Sequence, residues 1–227
     1  MGETVEVKRK TAADAVYEQL KEDIITLYYK PGEKLSEVKI AQRYNVSRDP
    51  VRKGISRLVQ EGLLVSKPQY GTIVCGLSVK QGQEICDIRL ILEVYAIKMA
   101  IGHIPEEKLA VLLEDLGKAK KALAQDSDEA TNLIYKLDGE MHAAIWDFCG
   151  NSMIGNIIKS YDSIVRRIQI SNIMYHERKQ GTMAEMEEII IALRNNNEKR
   201  AEDAMRLHIT NIKKTLVQTN EIKMEEE

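Results

Sequence analysis

At 227 residues the chain exceeds one small module and suits two modest domains. A 44% hydrophobic share is enough for real cores, and 30% charged residues suit a surface in water. No apolar run reaches the roughly 18 residues that a membrane-spanning helix needs. The net charge of −2 is silent on nucleic acid, but its distribution is not. Residues 1–76 carry 13 Lys and Arg against 10 Asp and Glu, whereas 77–227 carry 20 against 25. Within 39–67 seven basic residues (Lys39, Arg43, Arg48, Arg52, Lys53, Arg57, Lys67) face two acids, Asp49 and Glu61. A local basic patch on a mildly acidic chain is the footprint of a phosphate-binding surface. Cys75, Cys86 and Cys149 are odd in number and lack CxxC spacing, which argues against a disulfide framework and fits a reduced, cytoplasmic setting. The opening decapeptide MGETVEVKRK has no apolar signal core.

Apolar Ala13, Val16, Tyr17, Leu20, Ile24 and Leu27 predict a helix over 12–27, broken by Pro31-Gly32. Ser36 starts a short second helix to about Tyr44, with Val38, Ile40 and Ala41 inward. Asn45 suits the left-handed residue of a tight turn. Ser47 is placed to cap a third helix that runs to Glu61, with Pro50 in its first turn and Gly62 as its stop. Leu63-Leu64-Val65 and Thr72-Ile73-Val74 are β-prone and flank a turn at residues 66–71, which predicts a hairpin.

Helix, short helix, tight turn, helix and hairpin make a winged helix-turn-helix, whose helix after the turn enters a major groove. Its leading residues are Ser47, Arg48, Asp49 and Arg52. Arg48 and Arg52 are four apart and share a face, and arginine matches guanine O6 and N7 bidentately. Ser47 and the helix N-terminus suit a phosphate. Lys39, Lys67, Gln69, Tyr70 and Gly71 complete the expected DNA contacts, Gly71 by letting backbone approach closely. A winged helix used for protein contact, with a solvated basic face, is the alternative that charge and layout leave open.

Past a short hinge at 77–80 the pattern is helical throughout, near 80–101, 105–124, 127–149, 152–174, 182–196 and 198–220. The expected fold class is therefore mainly α: a winged helix-turn-helix over 1–76 and an all-α bundle over 81–227. A bundle interior can hold a ligand or metal. Asp138 and His142 lie four apart at the edge of one apolar face, and His208 sits inside the apolar stripe of the last helix. Carboxylate and imidazole donors suit Zn, Ni or Mn. Equally, an Asp paired with its helix neighbour and a satisfied core His produce the same pattern. Arg89 lies among Ile85, Ile88, Leu92 and Ala96, with Glu93 one turn on.

The stretch from Val16 to Val74 resembles the DNA-binding domain of the GntR family of bacterial regulators. The likeness rests on Pro31-Gly32-Glu33-Lys34-Leu35-Ser36-Glu37, on Val46-Ser47-Arg48-x-Pro50-Val51-Arg52, on Arg57-Leu58-x-x-Glu61-Gly62-Leu63 and on the Gly71 wing. It implies that Arg48 and Arg52 contact operator bases. Lys53-Gly54 and Asp49 depart from the family pattern, and Gly54 is expected to cost about 1 kcal/mol of helix propensity. The helical array behind it is similar to the FadR subfamily with its FCD sensor domain, through Arg89-x-x-x-Glu93, Asp138-x-x-x-His142 followed by Gly150-Asn151, and Arg206-x-His208-Ile209.

That second resemblance implies a divalent metal held by one Asp and three His, together with a small carboxylate effector. Three of the four positions fall on Asp138, His142 and His208, while the fourth falls on Met186, a poor partner for a hard ion. Arg89 and Asn151 become the expected effector contacts. The overall expectation is a homodimeric regulator that binds double-stranded operator DNA, acts as a repressor, answers to an organic acid and is not an enzyme. Two rivals are an architectural DNA-binding protein whose helical domain only dimerises and a metal-dependent hydrolase at Asp138, His142 and His208.

Overall fold

A computed structural model describes residues 11–127, 129–173 and 176–225, so the expectation drawn for the first ten residues lies outside it. The chain divides into two compact units, the first ending at Leu77 and the second starting at Ser78. Among the described residues no helix is long and apolar enough to cross a membrane, and the three cysteines are free thiols.

In the first unit α1 spans Ala12–Ile25. Thr11 and Asp14 close its N-terminus with a reciprocal capping box. It ends two residues before the expected Leu27, because Leu27 adopts φ 62, where no helix continues. The short α2 (Glu37–Arg43) and α3 (Arg48–Gln60) are joined through Asn45 at φ 52, the left-handed turn its side chain tolerates. Ser47 is the N-cap of α3, but its hydroxyl makes no capping bond.

The hairpin pairs β2 (Leu64–Lys67) with β3 (Gly71–Val74), Lys67 opposite Gly71. A further strand, β1 (Lys34–Leu35), adds to the other side of β3 and was not expected, since two residues carry no readable alternation. Val16, Leu20, Ile24, Ile40, Val51, Leu58 and Leu64 form the core between helices and sheet. Each contributes about 1.5–3 kcal/mol by leaving water.

Gly54 has a packing role beside its expected cost in helix propensity. A Cβ there would meet Val16 Cγ1 at 3.0 Å and the Tyr17 backbone nitrogen at 3.2 Å. The missing side chain is what lets α3 lie directly on α1.

The second unit has seven described helices where six were expected: α4 (Val79–Ala100), α5 (Glu106–Ala124), α6 (Ala130–Phe148), α7 (Ser152–Ser160), α8 (Asp162–Ile173), α9 (His176–Arg194) and α10 (Glu198–Glu225). The expected 152–174 helix is broken at Tyr161, between a Ser160 hydroxyl bonded back to Ile157 O and Asp162 opening the next turn. Apolar residues continue on both sides, so periodicity hides the break. Gly181, read as punctuation, lies inside α9 instead; the Arg178 guanidinium crosses the space its side chain would fill.

The α10 helix runs antiparallel along α4, as the ion pairs Lys213–Asp87 at one end and Lys98–Glu198 at the other require. Leu137, Met141, Ile97, Leu112, Ile189 and Met205 fill the interior.

Candidate nucleic-acid interface and candidate metal centre

At the start of α3 the Arg48 and Arg52 side chains are 56% and 59% exposed and stand side by side. Both donate to one atom, Glu37 Oε2 in the first turn of α2, Arg48 through Nη2 at 3.1 Å and Arg52 through Nε at 2.9 Å. Burial works to raise the Glu37 pKa, but Arg52 and Arg48 outweigh it and hold the carboxyl below its ordinary range. Asp49 is exposed and paired with Lys53 at 2.8 Å. Ser47 and Lys39 are exposed on the same helix-turn-helix.

At the wing tip Gln69 turns the chain at φ 63 and Gly71 at φ 105, a conformation L side chains rarely adopt. Tyr70 is 60% exposed, and Lys67 is exposed beside it.

Two of the seven cations counted toward the basic patch are spent on the fold. Arg43 pairs with buried Asp23 at 3.1 Å and lies over the Tyr28 ring. Arg57 pairs with Asp14 at 2.8 Å and lies over the Tyr17 ring. The structure adds one cation that sequence reasoning missed. Lys34, in β1, reaches along the wing with Nζ 5.1 Å from the Tyr70 ring centre. Its only signal was membership of the Pro31–Glu37 motif.

In the second unit Asp138 and His142 project from α6 and His208 from α10, all essentially buried, although Asp138 and His142 were expected only at the edge of their face. His208 Nε2 lies 3.2 Å from Asp138 Oδ1 and 3.4 Å from His142 Nε2, and His142 Nε2 lies 3.8 Å from Asp138 Oδ1. A point equidistant from the three atoms is about 2.0 Å from each, the length of a metal–nitrogen or metal–oxygen bond. Asp138 Oδ1, a buried acceptor at one corner of this triangle, makes no aligned hydrogen bond.

What fixes these donors comes from three further helices. Glu93 of α4 lies against His142 Nδ1, and Glu185 of α9 lies 2.9 Å from His208 Nδ1. A proton on His208 Nδ1 directed at Glu185 leaves its Nε2 lone pair toward Asp138 and His142, the arrangement that metal-binding histidines use. The His142 Nδ1 contact with Glu93 is not aligned as a hydrogen bond, and the His142 Nε2 is met by the Arg89 Nη2 donor. Gln169 of α8 donates to Asp138 Oδ2 at 2.6 Å. Arg178 holds both Glu185 oxygens, at 2.8 and 2.7 Å.

Burial disfavours the charged forms of Arg89, Glu93, Asp138, Glu185 and His208, and for these five pairing prevails. Arg89 and His142 hold the Glu93 carboxyl down to about 2, and Asp138 is held well below the carboxylate range by His142 and His208. Asp138 and Glu185 raise His208 against the effect of its burial. Three carboxylates against two guanidiniums leave one negative charge when both imidazoles are neutral. The donor set thus fits a divalent cation in chemistry, spacing and charge.

Arg89, expected to hold an effector carboxylate, is 1% exposed and committed on its own helix. Its Nε donates to Glu93 Oε1 at 2.5 Å and its Nη2 lies 3.2 Å from His142 Nε2, which leaves Nη1 without a partner. Asn151 is not brought to the cluster: it is exposed, and its Oδ1 caps α7 by accepting from Met153 N at 3.1 Å. Met186 is fully buried, as are Ile189 and Ile190 on the same helix. Glu185 and Gln169 were missed, since a single acid beside Glu187 and Glu188 carries no signal of its own.

The FCD domain family model matches residues 84–211, and the model for bacterial regulatory proteins of the gntR family matches residues 12–74. The chain is 28% identical over 192 residues to the HTH-type transcriptional regulator YdhC of Bacillus subtilis, covering 85% of each. It is 25% identical over 203 residues to the HTH-type transcriptional repressor RspR of Escherichia coli, covering 89% of this chain and 88% of that one. Among solved structures, McbR/YncC of E. coli superposes with a TM-score of 0.73 at 20% identity over 92% of this chain and 99% of that one. A GntR regulator from Rhodococcus sp. RHA1 gives 0.72 at 20% identity, over 91% and 97%. At such identity the structures speak for the fold alone.

Proposed function

The chain belongs to the FCD domain family, here behind a GntR module, a family of transcriptional regulators and not of enzymes, and from that premise we propose how its two units divide the work. It is a DNA-binding regulator with an effector-binding C-terminal domain. In our reading the first unit recognises the operator through α3. Arg48 and Arg52 take base edges, with Asp49 beside them on the same helix. Ser47, Lys39, Lys67, Gln69, Tyr70 and the Gly71 backbone meet phosphate and the minor groove.

The second unit senses a small organic acid. The observation that carries this is the buried triangle of Asp138, His142 and His208, each histidine backed by a carboxylate. These three residues would hold a Zn, Ni or Mn ion. When bound, the ion supplies positive charge and open positions for a carboxylate, the position of Met186 being taken by ligand or water. Arg89 offers Nη1 to a further effector oxygen, and Glu93 and Glu185 keep the imidazoles oriented.

We assign the homodimer contact to exposed apolar stripes on two neighbouring helices: Ile88, Ile91, Tyr95 and Met99 on α4, and Met153 and Ile157 on α7 with Tyr161 at its C-terminal cap. Effector binding shifts the dimer between two states of different operator affinity, by as much as the effector's own preference for one state. RspR, named a repressor, favours repression as the output.

The test uses a duplex enriched by the protein from a randomised pool. Zn, Ni or Mn together with small di- and tricarboxylates should change its affinity by about tenfold, and Asp138→Ala should abolish the response. A wild-type protein that answers to none of them would favour the architectural role. Arg48→Ala or Arg52→Ala should remove specific binding while the melting temperature stays put.

A further inference from the structure

Glu37 is an acid on the face that meets phosphate. An acid in that position weakens attraction to every DNA sequence alike, so its presence calls for a gain in discrimination. Its geometry supplies one. Arg48 and Arg52 are like charges one turn apart, and the single oxygen Oε2 ties both to α2. Arg52 is held through Nε, which leaves its Nη1 and Nη2 as an end-on fork of the kind that fits guanine O6 and N7. All three side chains stay in water, 56%, 59% and 33% exposed, so the pairing is loose enough to yield to a matching base.

We propose that Glu37 is a specificity-determining positioning residue: it aims the Arg48 and Arg52 guanidiniums as one pair at the base edges and keeps both from settling on any nearby phosphate. This rests on α3 being the base-reading helix. Discrimination is then set partly by a residue that itself bonds no base, and the α2–α3 unit reads DNA as a whole.

The experiment measures fluorescence anisotropy on two duplexes across a salt series, one enriched by the wild-type chain from a randomised pool and one scrambled. The proteins are wild type, Glu37→Gln, Glu37→Asp and Arg52→Ala, each checked for an unchanged melting temperature. Glu37→Gln should bind the scrambled duplex about fivefold tighter, with a salt slope steeper by about one, and the selected-to-scrambled ratio should fall about tenfold. Glu37→Asp keeps the charge but is one methylene too short to reach both arginines. It should lose the ratio while its scrambled-DNA affinity stays that of wild type. Wild-type ratios in both Glu37 variants would overturn the proposal, and a wild-type ratio in Glu37→Asp alone would overturn the aiming. If Arg52→Ala also keeps the ratio, the base-reading role of α3 has failed, and this proposal with it.

Discussion

The two sites are built from the same chemical device, a carboxylate that grips basic groups, and they differ in water. On the reading face Glu37 holds two arginines that are more than half exposed. In the bundle Glu93 holds Arg89 and His142 with all three essentially out of solvent. Exposed pairs contribute about 0–1 kcal/mol and re-form readily with another partner. A buried pair is different, because removing one member leaves the other charge unpaired in a dry interior. The proposed roles match this difference: a face that would release its arginines to DNA suits the first kind, and a site that would hold donors in a fixed triangle suits the second.

That contrast can be broken by mutation, most severely at the buried end. Glu93→Ala should cost about 3–5 kcal/mol of unfolding free energy in urea titrations, since Arg89 is left charged and buried. A loss below 1 kcal/mol would mean that water reaches the cluster. Acid should do the same reversibly. The folded protein keeps the Glu93 carboxyl near 2 against an ordinary 4.5, so the unfolded chain takes up its proton first. This stabilisation is complete above pH 4.5 and drains as the pH falls toward 2, by about 3 kcal/mol in all. Arg178 is 11% exposed and should fall between the extremes, Arg178→Ala costing about 1–3 kcal/mol. Glu37→Ala removes two ion pairs yet should shift stability by less than about 1 kcal/mol, and the same urea titration checks it.

The reading head was largely legible because its signals are local. The Pro31–Glu37 run, Asn45 at the turn and the Gly71 wing each act within a few residues, and Ser47 marks the start of α3 without a side-chain capping bond. So were Arg89 with Glu93 and Asp138 with His142, pairs one helical turn apart. What escaped depends on distance along the chain. Glu185 meets His208 across 23 residues and Gln169 meets Asp138 across 31. Glu37 meets its arginines across 11 and 15 residues and only because the α2–α3 turn brings it there. The packing role of Gly54 escaped for the same reason: its close neighbours lie in α1, far earlier in the chain, while its propensity cost lies in its own helix.

Gly54 has a consequence for redesign. At Gly54, α3 lies against the Val16 side chain and the Tyr17 main chain of α1, with no room for a Cβ unless they shift, so the seat of α3 on α1 depends on that bare position. Arg48, Asp49 and Arg52 project from the opposite side, into solvent. They can therefore be exchanged, together with Glu37, to give the head a new operator preference without rebuilding the scaffold beneath it. Position 54 is the one that such a library must leave untouched.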